Sequence, residues 1–247
     1  VTMIYVNNWI DYYSDFVPFS AGHNKLLKSY IDSSKTNPKV LDVEAGTAIG
    51  VEDLPQNYDI TIIDKYPEFT SLLTKRQSLQ NNRFHIFNLD PMDIGRYLGK
   101  NYFDLIYCLD GRIIFFKDRT LIKKFFFDSK MLLAENGKLV LSLYNFSKIN
   151  FKFDSVELSE RICTRGVLHG SFVKDKKNLV YKLNTNIISA DGKQKKIVKD
   201  ETVVPLGIET VKSFAKELNF SSVEFYSDYD KTPISDNSEY FVCILTK

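Results

Sequence analysis

Residues 39 to 144 carry five short apolar runs separated by longer stretches of different character. The runs at 39–43, 59–64, 84–87, 103–108 and 138–144 have the length and the branched or aromatic content of buried strands. Apolar residues recur at helical spacing over 68–80 and 118–134. The second of these stretches stops at Glu135-Asn-Gly137, where Gly137 is expected to serve as a left-handed cap. Strands alternating with helices in this way predict a doubly wound, Rossmann-like α/β domain. Its sheet is mostly parallel, helices cover both faces, and right-handed crossovers fix the topology.

Two further helical stretches, 9–16 and 23–32, precede the first run, with Pro18 and Gly22 in the break between them. After residue 150 the period falls to two. Segments 156–164, 167–174, 179–188 and 195–204 read as antiparallel strands, with turns at 175–178 and at Asp191-Gly192. A helix over 208–218 and strands at 223–227 and 240–246 complete a seven-stranded main sheet. The expected organisation is an N-terminal helical lid at 1–35, a Rossmann-like core at 36–150, a small antiparallel insertion after the fifth strand at 151–204, and a closing helix and strands at 205–247.

A chain of 247 residues that is 44% hydrophobic can build one large core. Its net charge of +2, with acids and bases interspersed, gives no reason to expect nucleic acid or a membrane as partner. Cys108, Cys163 and Cys243 lie far apart, without disulfide or metal spacing, which suits a reducing, cytoplasmic setting. No basic segment followed by an apolar run opens the chain, so no signal peptide is expected, and no run approaches the roughly 20 apolar residues of a membrane helix. His23, His85 and His169 lack ligand spacing, so no metal is expected. Lys193-Gln-Lys-Lys196 reads as a solvated turn, and Phe125-Phe-Phe127 as helix-to-sheet core with room for one exposed ring.

Ligands of such sheets bind outside the carboxyl ends of the strands, where the strand order reverses. Three strand ends carry candidates. The first leads into Glu44-Ala-Gly46, the second ends in Asp64, and the third is followed by Leu89-Asp90. Asp64 can accept hydrogen bonds from two ribose hydroxyls.

On these residues the chain resembles the class I S-adenosylmethionine-dependent methyltransferases, especially bacterial ones acting on small molecules. The segments that carry the resemblance are Asn8-Trp-Ile-Asp-Tyr-Tyr13, Val40-Leu-Asp-Val43, Ile62-Ile-Asp64, Asp90-Pro-Met-Asp93, Phe103 to Cys108, Asn136-Gly-Lys138, Asn145, Pro205 to Val211, and Phe225-Tyr-Ser-Asp-Tyr-Asp230 with Pro233. The resemblance implies S-adenosylmethionine as cofactor and a small-molecule acceptor, with a monomer or homodimer as the assembly. It implies that Gly46, with the backbone from Glu44 through Ala45 to Ala48, lies along the methionine part. Asp64 would bind the ribose with Lys65 and Tyr66 beside it, and Leu89-Asp90 would meet the adenine. Cys108, Leu109 and Asp110 would form the floor under the sulfonium, and Tyr12 and Tyr13 would close the pocket. The insertion at 151–204 would cover the acceptor. Asp110, Asn145 and Tyr13 are the candidates for acid–base or orienting roles, and Arg112 for pairing with a substrate anion.

Three departures accompany the resemblance. The family's Gly-x-Gly-x-Gly loop is here Glu44-Ala-Gly-Thr-Ala48, Pro91 removes a backbone donor after Asp90, and Asp110-Gly-Arg112 stands where small polar residues are usual. Glu44 would either repel the cofactor carboxylate, attract its ammonium group, or stay solvated. Asp42 is counted with the cofactor-binding residues, although on its own it reads as a structural acid bonding loop amides, and Cys108 reads equally as a small apolar strand residue. The competing reading is a methyltransferase-like protein without turnover, acting as a binding or partner module. A nicotinamide oxidoreductase is disfavoured by the missing Gly-x-Gly-x-x-Gly loop, and an RNA methyltransferase by the lack of a basic stripe.

Overall fold

The structure, a computed structural model, describes residues 3–17, 21–78, 84–116, 118–146, 154–175, 180–235 and 238–247. The expected break at Pro18, the end of the 68–80 helix, most of the 175–178 turn and the boundary at 150/151 lie outside the described residues. In chain order the elements are β1 (Met3–Ile4), α1 (Val6–Ile10), α2 (Tyr13–Phe16), α3 (Ala21–Ser29), β2 (Lys39–Val43), β3 (Asp59–Asp64), α4 (Pro67–Ser78), β4 (Phe84–Asn88), α5 (Ile94–Tyr97), β5 (Phe103–Cys108), α6 (Arg119–Leu132) and β6 (Leu133–Tyr144). Five strands follow, β7 (Ser155–Glu157), β8 (Arg161–Cys163), β9 (Gly166–Asp175), β10 (Val180–Ser189) and β11 (Gln194–Val203), and then α7 (Ile208–Glu217), β12 (Ser222–Tyr226) and β13 (Tyr240–Thr246).

The main sheet has seven strands in the order β12-β13-β6-β5-β2-β3-β4. β6, β5, β2, β3 and β4 run parallel, whereas β13 pairs antiparallel with β6, and β12 with β13. Every residue of β5 is buried, because helices cover both faces of a parallel sheet and leave no solvated side to alternate with. α6 starts where Asp118 accepts the Leu121 N–H at 2.8 Å, a side-chain cap that satisfies one of the helix's free donors. It buries Ile122, Phe125 and Phe126 against the sheet and leaves Phe127 half exposed.

The second sheet is antiparallel and has six strands, β1-β11-β10-β9-β7 with β8 also on β9. β1 was invisible to periodicity because it is only two residues long; Met3 pairs with Lys199 and Ile4 with Val198. The expected helix at 9–16 is two short helices, α1 and α2, and the expected strand at 156–164 is the separate β7 and β8. Phe172, Leu183, Ile187, Ile197 and Val198 of the second sheet share one hydrophobic core with Leu41, Ile106, Leu141 and Phe241 of the first. At about 1.5–3 kcal/mol for each fully buried large apolar side chain, that shared core welds the two sheets together.

The expectation for Gly137 needs correction. Asn136 is the left-handed residue there, with φ 59°, and Gly137 is not. Gly137 is required for space instead: a Cβ would lie 2.9 Å from the carbonyl oxygens of both Ala134 and Phe103. Gly137→Ala is therefore expected to lower the unfolding free energy by about 1–3 kcal/mol, the usual cost of overpacking. Asn136→Gly is expected to be neutral or stabilising by up to about 1 kcal/mol. Urea unfolding of the two variants checks both, and equal losses would sink the assignment.

Candidate active site at the carboxyl edge of the parallel sheet

From β2 the chain winds outward through β3 and β4, then returns to place β5 and β6 on β2's other side. The strand order thus reverses at β2, and the cleft expected at such a switch point opens there. The loop after β2 turns through three alternating left-handed residues, Glu44 (φ 56°), Gly46 (φ 59°) and Ala48 (φ 43°). The glycine-loop path is therefore kept although only the central glycine remains. Its two non-glycine residues are held in a conformation that carries strain, of order 1–3 kcal/mol each.

Asp64 holds that loop. Its side chain has no exposed surface. Oδ2 accepts the Gly46 N–H at 2.9 Å and Oδ1 accepts the Tyr66 N–H at 2.8 Å. Burial raises its pKa, while these two backbone donors and Lys65 oppose the rise. The loop-amide role assigned to Asp42 thus belongs to Asp64. Asp42 instead lines a small recess with Tyr107, Thr47 and Leu109, and burial pushes its carboxyl well above the usual range.

Asp110 (φ 60°) and Gly111 (φ 69°) are consecutive left-handed residues at the end of β5, and they aim Arg112 into the cleft. One guanidinium nitrogen donates to the Glu44 carbonyl oxygen and lies 3.4 Å from Asp64 Oδ2; the other donates to the Tyr13 hydroxyl. The guanidinium also sits 4.7 Å over the Tyr13 ring. Burial lowers the Arg112 pKa to about 9.

Glu44 is buried, so the solvated reading is excluded. Its carboxylate faces Lys65 at 3.3 Å. Burial outweighs that ion pair and raises the Glu44 pKa to about 7. Asp110 is half-buried with its carboxyl facing the cleft, and burial raises it to about 6 against the opposing charge of Arg161.

The cleft encloses about 980 Å³, its open mouth included. Trp9 and Tyr13 of the N-terminal helices form one wall, and Glu44, Lys65, Tyr66, Asp110 and Tyr144 the floor. The roof is the antiparallel sheet, with Leu158, Leu168, Leu183, Ile197 and Val198. Arg161 reaches in from β8, donating to the Phe16 carbonyl at 2.9 Å and to the Tyr240 hydroxyl at 3.0 Å.

Not every candidate reaches this space. Tyr12 stacks on Phe16, with Arg165 4.3 Å over its ring, and does not line the cleft. Cys108 is sealed in the core, since the last residue of a fully buried strand has no path to the floor; Leu109 and Asp110 provide the surface instead. Asn145 is fully buried, donates to the Ser238 carbonyl at 3.1 Å and lies outside the lining. Leu89 donates its N–H to the Asp64 carbonyl at 3.1 Å. Asp90 is exposed and caps the turn after β4 by accepting the Met92 N–H. Ala45 lines the recess beside Asp42. Among the described residues no cluster of histidine, cysteine or acidic side chains could hold a metal, and no helix is long and apolar enough to cross a membrane. Tyr144, Arg161 and Tyr240 were not singled out from sequence. Tyr144, the last residue of β6, adjoins the chosen Asn145 but lines the cleft, whereas Asn145 just past the strand end does not.

This strand order and switch-point cleft form a Rossmann-like fold that solved S-adenosylmethionine-dependent methyltransferases share. Among solved structures, the chain is similar to the CcbJ methyltransferase of Streptomyces caelestis, at TM-score 0.77 and 13% identity over 96% of this chain and 95% of that one. It is similar to an S-adenosylmethionine-dependent methyltransferase of Clostridium acetobutylicum, at TM-score 0.73 and 13% identity over 97% and 98%. It is also similar to S-adenosylmethionine-bound CalS10, an amino pentose methyltransferase of Micromonospora echinaspora, at TM-score 0.60 and 13% identity over 98% and 90%. No family model matches the chain, and no curated protein matches it in sequence.

A carboxyl whose pKa is higher folded than unfolded contributes most below its unfolded value, and that contribution fades as pH rises through the folded value. For Glu44 the window runs from 4.5 to about 7. Glu44→Gln is expected to gain stability relative to the natural chain, by up to about 3 kcal/mol, between acid and mildly alkaline pH. Unfolding midpoints across that range test this, and a pH-independent difference would contradict it.

Proposed function

We propose that the protein transfers a methyl group from S-adenosylmethionine to a small-molecule acceptor. The observation that carries this reading is the cleft itself: an acid-ended β3 and a loop with left-handed residues at 44, 46 and 48 open into an apolar chamber under a second sheet. The backbone frame fits the cofactor, provided that the Arg112 side chain leaves the face of Gly46. The 44–48 loop, Asp64, Lys65 and Tyr66 would hold it, with Leu89 and Asp90 toward the adenine. When bound, it supplies an electrophilic methyl on a sulfonium. In this reading residues 1–35 serve as the lid and 151–204 as the acceptor hood.

The chain's own part is alignment. Trp9, Tyr13 and the apolar roof exclude water and orient the acceptor for in-line displacement, worth about 7–11 kcal/mol in well-oriented systems. Asp110 takes the acceptor's proton or holds its ammonium group, and its pKa of about 6 leaves it charged at neutral pH. Tyr144, Arg161 and Tyr240 stand beside it to fix the acceptor's polar groups. One observation favours the second reading, a binding module without turnover: Arg112 already contacts Asp64 and Glu44.

Calorimetric titration with S-adenosylmethionine and S-adenosylhomocysteine, followed by methyl transfer to a panel of small amines, phenols and carboxylates, tests the proposal. Binding with turnover supports it, whereas binding without turnover, or no binding at millimolar ligand, removes the methyl-transfer reading in favour of the second. On an accepted substrate, Asp110→Asn is expected to lower kcat about 100- to 10,000-fold. It should also abolish the rise in rate on passing upward through the Asp110 pKa of about 6. Full turnover in that variant would clear Asp110 of the role.

A further inference from the structure

The nucleoside end of the cleft is occupied by the chain itself. A Cβ built on Gly46 would fall 2.5 Å from Arg112 Nη2 and 2.5 Å from Tyr13 Cζ, so the one loop face without a side chain is already covered. Both Asp64 oxygens accept backbone N–H groups, and Arg112 lies 3.4 Å from Oδ2. Tyr13 and Phe69, the latter with the guanidinium 5.9 Å from its ring, pack edge-to-face with each other and flank the cation on the helical side. A sugar reaching for Asp64 and a ligand backbone passing Gly46 would both meet the same guanidinium.

We propose that Arg112 and Tyr13 form a latch, an internal occupant that keeps the nucleoside end shut until a ligand competes for Asp64 and the face of Gly46. The identity of that ligand rests on the methyl-donor reading; the latch itself rests on the contacts above. A buried carboxylate losing its cationic neighbour is costly, so the closed arrangement dominates the unliganded protein. Apparent affinity then falls by the fraction of molecules that are open. With an open state at about 1–10% of the population, removing the latch strengthens binding about 10- to 100-fold.

The test uses the full chain and S-adenosylhomocysteine, titrated by calorimetry into the natural protein, Arg112→Ala and Tyr13→Phe. Trp9, the single tryptophan, has its ring 5.2 Å from that of Tyr13 and reports the latch by its fluorescence. Arg112→Ala is expected to bind about 10- to 100-fold more tightly. Tyr13→Phe keeps the ring and loses only the hydroxyl, so it should shift affinity in the same direction by less, and it remains informative should Arg112→Ala not fold. Ligand should move Trp9 emission of the natural protein toward that of unliganded Arg112→Ala. Equal affinity across the three proteins overturns the latch and leaves the methyl-donor reading standing. Failure of all three to bind at millimolar ligand overturns both.

Discussion

The carboxylate of Asp64, with no exposed surface, is the point on which the cleft depends. It joins the end of β3 to the loop after β2 through Gly46 and to the start of α4 through Tyr66. Those bonds replace the water that the charge loses on burial, and Arg112 adds a cationic neighbour. Without them the left-handed path at Glu44, Gly46 and Ala48 would have no anchor, since two of those three residues resist that conformation.

Around that anchor the charges alternate. Asp42, Glu44, Asp64 and Asp110 all have carboxyls raised by burial, and Lys65, Arg112 and Arg161 are interleaved among them. Neither sign dominates, so the cleft has no strong field with which to draw in a polyanion. It presents an apolar roof above a floor of polar side chains that are mostly tied to each other.

The parallel core was legible because its signal is local. Five apolar runs of strand length, four of them largely buried and the edge run at 84–87 only partly so, alternate with helical stretches as a parallel sheet requires. The antiparallel segment was legible from its period of two. β1 was not, because two residues carry no period; its existence depends on the edge offered by β11. Asp64 could be placed at a cleft from its position at a strand end, but whether it would face a ligand or the loop amides depends on a loop conformation that spacing does not encode. The same limit separated Asn145 from Tyr144. Arg112 was noted as an anion partner, whereas its position over Gly46 depends on two consecutive left-handed residues; Asp110-Gly111 suits such a turn, but the direction in which the turn aims the next side chain is not encoded in spacing. Gly137 shows the reverse error: the residue type was right for a tight place, and the reason was a close carbonyl rather than a positive φ.

The two-residue strand at the start of the chain has a structural consequence out of proportion to its size. By adding Met3 and Ile4 to the edge of the antiparallel sheet, it fastens the segment ahead of the first helices to one nearly two hundred positions downstream. The short helices bearing Trp9 and Tyr13 are thereby strung like a strap between roof and floor, fixed at one end by a sheet and at the other by packing on Phe69. A roof transplanted from a relative would arrive without the other end of its strap. The wall and roof of this cleft are therefore a matched pair of distant segments, not an exchangeable module.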